Sequence, residues 1–397
     1  MHTSVPQKKK RIESIDIFRA LIVLLMIFVN DLWSISEVPH WMGHADFDED
    51  FLGLSDIVFP AFLFILGMSI PLAIGGRIRK GQSRFQLVRH IVSRSLALLV
   101  MGVFSVNSGR SLSREVGISG PVYSLLMLLG FFLIWNSYPH DITSSLKQKI
   151  YSLFQVLGCI LLVYLGFIYR DLSGATLKPK WWGILGLIGW TYLVCALLYL
   201  FLHKKHRYLI ISALCFTLLC VLGTAGYLGS LNNVVLSNGC FYAFTMFGLL
   251  LTLLLNDKTY AYIALANKLK VICCIGVVFI LLGWLFNRWW IISKLQETSP
   301  WLFYSTGITI LVYVFIYWLV DIQDKGIYFK LIKPAGTATL TCYLVPSLYY
   351  AISQIINFRI IGAFAKAPLG LLKCLCFSLL CILTTNILGK MSIKLKI

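Results

Sequence analysis

Runs of about twenty apolar residues, separated by short polar or Gly/Pro-containing breaks, recur along the whole chain, and a bilayer core of about 30 Å needs roughly that length of helix. Such runs rule out a water-soluble domain as the burial place for the apolar surface. Of the 397 residues, 58% are hydrophobic and 13% charged, the mean hydropathy is +0.82, and soluble chains carry about 25% charged residues. Lipid must be part of the solvent. The expected fold class is therefore an all-α polytopic integral membrane protein. Its spans begin near Ile15, Leu52, Leu87, Gly120, Ile150, Trp182, Tyr208, Asn238, Val271, Pro300, Thr337 and Pro368. That is about twelve transmembrane helices, with ten as the lower bound.

The formal net charge of +19 does not gather on one soluble surface, as a nucleic-acid module would require, so no nucleic-acid partner is expected. Instead the cations punctuate the gaps between spans. Counting from a cytoplasmic start at Lys8, Lys9, Lys10 and Arg11, the inside loops hold Arg77, Arg79, Lys80 and Arg84. Later ones hold Lys204, Lys205 and Arg207, then Lys325, Lys330 and Lys333, then Lys390, Lys394 and Lys396. The first outside loop carries Glu37, Asp46, Asp48, Glu49 and Asp50 and no Lys or Arg. This bias places both termini in the cytoplasm. The run from Ile15 to Ile35 lacks a small-residue cleavage motif and reads as a first span. Residues 1–14 and 391–397 are then cytoplasmic tails around a single transmembrane domain, 15–390.

The eleven cysteines fall mostly within apolar runs and without metal-type spacing, so neither a metal site nor a disulfide framework is expected. Trp33, Trp181, Trp182, Trp289, Trp290 and Trp301 lie near span ends and read as an interfacial belt. Gly183, Gly186 and Gly189 repeat every third residue, a spacing that lets a neighbouring helix approach closely.

Ionisable and amide groups are expensive inside a span, so their concentration marks function. Here they concentrate in the first two spans. Asp16 and Arg19 sit three apart on one face. Asn30 follows eleven residues later, about 16 Å further along the helix. His44 lies in the acidic loop beyond it, and Asp56 about one turn inside the second span. A carboxylate beside an imidazole fixes its tautomer and raises its basicity, so a His44 and Asp56 pair suits a general base. His40 is the competing histidine, and His90, beside Arg89 and near Arg94, reads as an interfacial cation.

The stretch RIESIDIFRALIVLLMIFVN followed by GHADFDEDFLGLSDIVFPAFLFILGMSI resembles the transmembrane acetyltransferase family of heparan-α-glucosaminide N-acetyltransferase and its bacterial relatives. The match puts Asn30 on the family's motif asparagine, His44 on its catalytic histidine and Asp56 on the aspartate before Phe-Pro. Arg94 and Gly102 match later positions, and GTATLTCYL matches a segment in which Ala338 replaces an amide. Ala20 stands where glycine is usual, and DFDED replaces a Trp-Asn-Gly-type loop.

The resemblance implies a multi-pass enzyme of the bacterial inner (cytoplasmic) membrane. It would take acetyl-CoA as co-substrate from the cytoplasm and acetylate an amino sugar or glycan on the periplasmic side. Arg19, Arg77, Lys80, Arg89 and Arg94 would then hold the CoA phosphates. Asn30 would donate to the developing oxyanion, and His44 would act as base or as transient acetyl carrier. A membrane transporter or glycan flippase is the alternative from another class, and O-acetylation of a surface polysaccharide the alternative chemistry. The lipid bilayer is an expected partner, and a homodimer is left open.

Overall fold

The computed structural model describes residues 13–108, 112–139, 145–229, 239–358 and 362–397. The basic cluster at 8–11 and the span start expected at Asn238 lie outside the described residues. The described chain is helical throughout, in the order α1 (Glu13–Asp31), α2 (Leu54–Arg79), α3 (Arg84–Val106), α4 (Gly120–Trp135), α5 (Ser145–Ile168), α6 (Gly183–Leu202), α7 (His206–Thr224), α8 (Cys240–Asn256), α9 (Leu265–Phe286), α10 (Ser299–Tyr317), α11 (Lys333–Thr337), α12 (Thr339–Ile355) and α13 (Leu369–Lys390).

Among the described residues, eight helices are long and apolar enough to cross a membrane, and α4 and α8 are shorter apolar helices. The 19-residue α1 carries Glu13, Asp16, Arg19 and Asp31, and α12 has 17 residues. The polytopic all-α class is as expected. With the five-residue α11 set aside, every helix begins within six residues of its expected start, the largest offset being α9 at Leu265 against Val271.

Contacts between connecting segments sort these segments onto two faces. Ser36 pairs with Lys366, and Leu112 with Asp171, on one. Asp50 Oδ1 accepts from Ile292 N at 2.7 Å on that same face. On the other, Asn136 pairs with Leu395, and Lys333 Nζ bonds Glu13 Oε1 at 2.6 Å. Each contact joins loops that an alternating twelve-span path puts on the same side. The face holding Arg77, Lys80 and Lys333 is called the basic face below.

Close approach organises the interior. A Cβ on Gly67 would lie 1.8 Å from Thr245 O, and one on Gly248 would lie 1.9 Å from Phe64 O, so α2 and α8 meet backbone to backbone. Thr245 and Thr252 strengthen the seam by donating to Leu63 O and Met68 O. The α6 glycines act as their spacing suggests: a Cβ on Gly102 of α3 would come 2.4 Å from Gly186 N. Helices α5, α7 and α9 turn apolar side chains outward, including Val163, Phe167, Leu214 and Leu281. In water these faces would be a liability, whereas lipid solvates them.

One sequence expectation changes. Trp301, grouped with the interfacial belt, is fully buried. It sits in the first turn of α10, its ring 5.2 Å from that of Phe244, and its indole N–H donates to Asp56 O at 3.0 Å. Within the segment 391–397, expected as a cytoplasmic tail, residues 394–396 run against the end of α4. Ser137 N donates to Lys394 O at 2.8 Å and Lys396 N to Trp135 O at 2.9 Å. Leu395 is buried there, its N–H held by Thr341 Oγ1 at 2.9 Å.

Candidate active site

Asp56 is the third residue of α2, where backbone N–H groups lack helical partners. Its Oδ2 reaches back to Gly53 N at 3.3 Å and across to Ala45 N at 3.0 Å. This drawing-in needs Gly53, because a Cβ there would lie 2.1 Å from Gly43 O. Ser55 pins the same loop by donating to Met42 O at 2.6 Å. His44 is thereby brought to the carboxylate: its Nδ1 lies 2.7 Å from Asp56 Oδ1. The carboxylate is 2% exposed and the imidazole 50%, so a buried anion holds a ring whose other side meets solvent.

Sequence reasoning misses a third member. Lys294, in the loop between α9 and α10, places Nζ 3.2 Å from His44 Nδ1 and 3.7 Å from Asp56 Oδ1. Burial pushes its ammonium below the ordinary lysine range, and the Asp56 charge opposes that shift. An Nδ1–H and an ammonium are both donors, so in that tautomer they share Oδ1 rather than bond each other. A loop lysine in isolation gives no signal in a sequence; only the fold brings residue 294 to residue 44. The rest of its loop is fastened to the His44 loop, with Asp50 taking Asn287 Nδ2 at 2.9 Å and Gln296 Nε2 donating to Phe47 O at 2.8 Å.

His40 is separated from this group. Its Nε2 faces Glu49 at 2.8 Å and its ring packs on Phe51, 4.3 Å between centroids.

Asn30 stands exposed at the end of α1, with no hydrogen bond to His44 or Asp56 among the described residues. It shares an α1 face with Met26 and Arg19, positions four and eleven residues earlier. That face lines a cavity of about 400 Å³ together with Phe62, Ile65 and Ser69 of α2 and Tyr343 of α12. Neither Asn30 nor the Met42 to His44 loop lines it: on α2 the lining reaches Phe62, seven residues or about 10 Å of helix short of Ser55.

The other end of the cavity is cationic. Arg19 donates to Ser69 Oγ at 2.6 Å and to Gly336 O at 3.1 Å, and pairs with Asp16 at 3.2 Å. Arg94 lies 4.6 Å over the Tyr192 ring, and its buried Nε has no hydrogen-bond partner among the described residues. Lys394 and Lys396, from the segment beyond α13, complete the lining. Of the five cations expected to act together, the structure brings Arg19 and Arg94 to this cavity. Arg77 and Arg89 line a separate depression with His90, and Lys80 is exposed at the end of α2.

These residues fit a phosphate-bearing acyl donor. Cations gather at one end, the walls are apolar, and an orphaned guanidinium N–H is available for an oxygen. The rise from Ser69 to Asp56 along α2 is about 20 Å, the span a donor's arm would cross.

Known proteins enter at this geometry. A family model described as "Domain of unknown function (DUF5009)" matches residues 11–266. The heparan-α-glucosaminide N-acetyltransferase of Mus musculus is 32% identical over 157 residues, 36% of this chain and 22% of that protein. The Homo sapiens protein of the same name is 37% identical over 98 residues, 24% of this chain and 14% of that one. The matched stretch thus spans less than a quarter of either relative, and the resemblance read from the motifs is borne out over that part. With well over half its length matched, the chain belongs to the DUF5009 family.

Proposed function

We propose that this protein is a transmembrane acetyltransferase that accepts acetyl-CoA at its basic face and acetylates the amino group of a glucosamine-type sugar on the opposite face. The observation that carries the reading is the imidazole of His44 held through Nδ1 by buried Asp56 on the face opposite a cavity lined by the cations Arg19, Arg94, Lys394 and Lys396. By the positive-inside rule the basic face is cytoplasmic, and in a bacterial inner membrane His44 would then face the periplasm.

The chemistry follows from the tautomer. With Nδ1–H donating to Asp56, Nε2 carries the lone pair and takes a proton from the attacking amine. Asp56 stabilises the imidazolium that forms. As the tetrahedral intermediate collapses, the bond to sulfur breaks and the imidazolium gives its proton to the departing CoA thiolate, which leaves His44 neutral for the next turnover; Lys294, 3.2 Å from Nδ1, shares Asp56 with the ring. The Asn30 amide serves the oxyanion of the tetrahedral intermediate. Acetyl-CoA supplies the activated thioester, with Arg19, Arg94, Lys394 and Lys396 meeting its phosphates.

Substitution at the cationic end tests this directly. A charge-assisted contact contributes about 1.5–3 kcal/mol, so Arg94→Ala or Lys396→Ala raises KM for acetyl-CoA about tenfold or more and leaves KM for glucosamine unchanged. Saturation curves for each substrate on the purified protein check it. An unchanged donor KM in both variants would remove this cavity from the reaction.

A further inference from the structure

A second cavity, of about 790 Å³, opens between the ends of α1, α12 and α13 on the face that carries His44. Its walls are aromatic, with Trp33, Tyr349, Tyr350 and Phe377, and the Trp33 and Tyr350 rings meet edge-on at 5.8 Å. At its base lies an ion pair that the acetyl-transfer reading does not use. Lys373 Nζ bonds Asp31 Oδ2 at 2.8 Å, Tyr350 OH donates to Asp31 Oδ1 at 2.9 Å, and Ser34 Oγ contacts the same lysine. Asp31 and Lys373 are both largely withdrawn from solvent.

A slot for a lipid chain has a different composition. An all-apolar lining of the kind that suits such a chain is found between α1 and α13, in a groove of about 450 Å³ lined by Leu24, Leu25, Phe28, Leu371, Leu372 and Leu375. Charge and hydroxyl groups facing an acyl chain would be left without a partner. Flat aromatic faces beside several donors and acceptors match instead a ring that is apolar on its C–H faces and polar at its edge.

We infer that this cavity is a binding subsite for one sugar unit of the acceptor glycan, stacked on Trp33 and Tyr350 with its hydroxyls toward Ser34, Ser353 and the Asp31–Lys373 pair. The inference rests on the proposed glycan acetylation for the identity of the ligand. Continuity with the His44–Asp56 dyad comes from the chain itself: Asp31 follows Asn30 directly, and the loop bearing Trp33 and Ser34 continues to His44. A unit held here flanks the one being acetylated.

Binding of a β-linked glucosamine tetrasaccharide to the full-length purified protein, measured calorimetrically without acetyl-CoA, tests the site apart from catalysis. Trp33 is 58% exposed, so Trp33→Ala leaves the fold intact; Tyr350→Phe, which removes only the hydroxyl, is the second variant. The expected result is tetrasaccharide affinity lowered at least tenfold in Trp33→Ala and severalfold in Tyr350→Phe, with KM for free glucosamine unchanged. Unaltered affinity in both variants overturns the inference, as does a wild type that acetylates glucosamine yet does not bind the tetrasaccharide, or a phospholipid found seated in the cavity. A wild type that binds the tetrasaccharide through Trp33 but transfers no acetyl group leaves this site standing and sinks the acetyl-transfer reading.

Discussion

His44→Ala lowers the rate of acetyl transfer by about 10³-fold, within the range that a positioned acid or base contributes, while the protein still folds and inserts. The second half of that expectation follows from the geometry. The imidazole is half exposed, and its removal leaves Asp56 with the N–H groups of Ala45 and Gly53 and with Lys294 nearby. The thermal midpoint should therefore stay within about 2 °C of wild type, and donor affinity should be unchanged because the cations lie at the other end. His40→Ala is the matched control. Its partner is Glu49, not Asp56, so it should leave the rate untouched. Turnover assayed in membranes with acetyl-CoA and glucosamine separates the two histidines, and full activity in His44→Ala would remove that residue from the chemistry.

Asp56→Asn is expected to lower the rate by about 10²–10⁴-fold for a different reason. A carboxamide no longer fixes the Nδ1–H tautomer or stabilises the imidazolium, and the equivalent change in a hydrolase triad is of the order of 10⁴. It also strips Lys294 of its counter-charge. Breaking a buried pair from one side costs about 3–5 kcal/mol, reduced here because the ammonium is 23% exposed. Asp56→Asn should therefore unfold several degrees below wild type. The double variant Asp56→Asn with Lys294→Met recovers most of that stability and none of the rate. Thermal unfolding and single-turnover rates on the three proteins check this; recovery of rate together with stability would reduce Asp56 to a structural role.

The helices are legible in the amino-acid sequence because their signal is local, whereas the local pattern leaves His40 and His44 both open and the motif resemblance selects His44. Apolar runs of span length set the helix starts to within a few residues, and Gly186 and Gly189 announce close packing through their spacing. His44 and Asp56 lie twelve residues apart, and a helix N-terminus draws a carboxylate at its third position back over the preceding loop. Partnership over distance leaves no such local mark. Lys294 is 250 residues from His44, and Lys394 and Lys396 are more than 370 residues from Arg19; no periodicity links them. The same limit groups Arg77, Lys80 and Arg89 with Arg19, because all five expected cations share one side of the membrane. Sharing a side does not mean sharing a cavity: Arg77 and Arg89 line a depression of their own. Trp301 departs from the belt because proximity to a span end says nothing about which way a ring faces; in the first turn of α10 it turns inward to the Asp56 carbonyl.

The dyad and the cationic cavity stand at opposite ends of the bundle, so the account requires donor and acceptor to meet from opposite sides. Purified protein sealed in liposomes of defined orientation, with isotopically labelled acetyl-CoA on one side and glucosamine confined to the other, tests this directly. Labelled N-acetylglucosamine should form on the His44 side when the donor is supplied on the side of Arg19, Arg94 and Lys396, and should not form when the two compartments are exchanged. Product formed with both substrates on a single side, or equally in both arrangements, would contradict it.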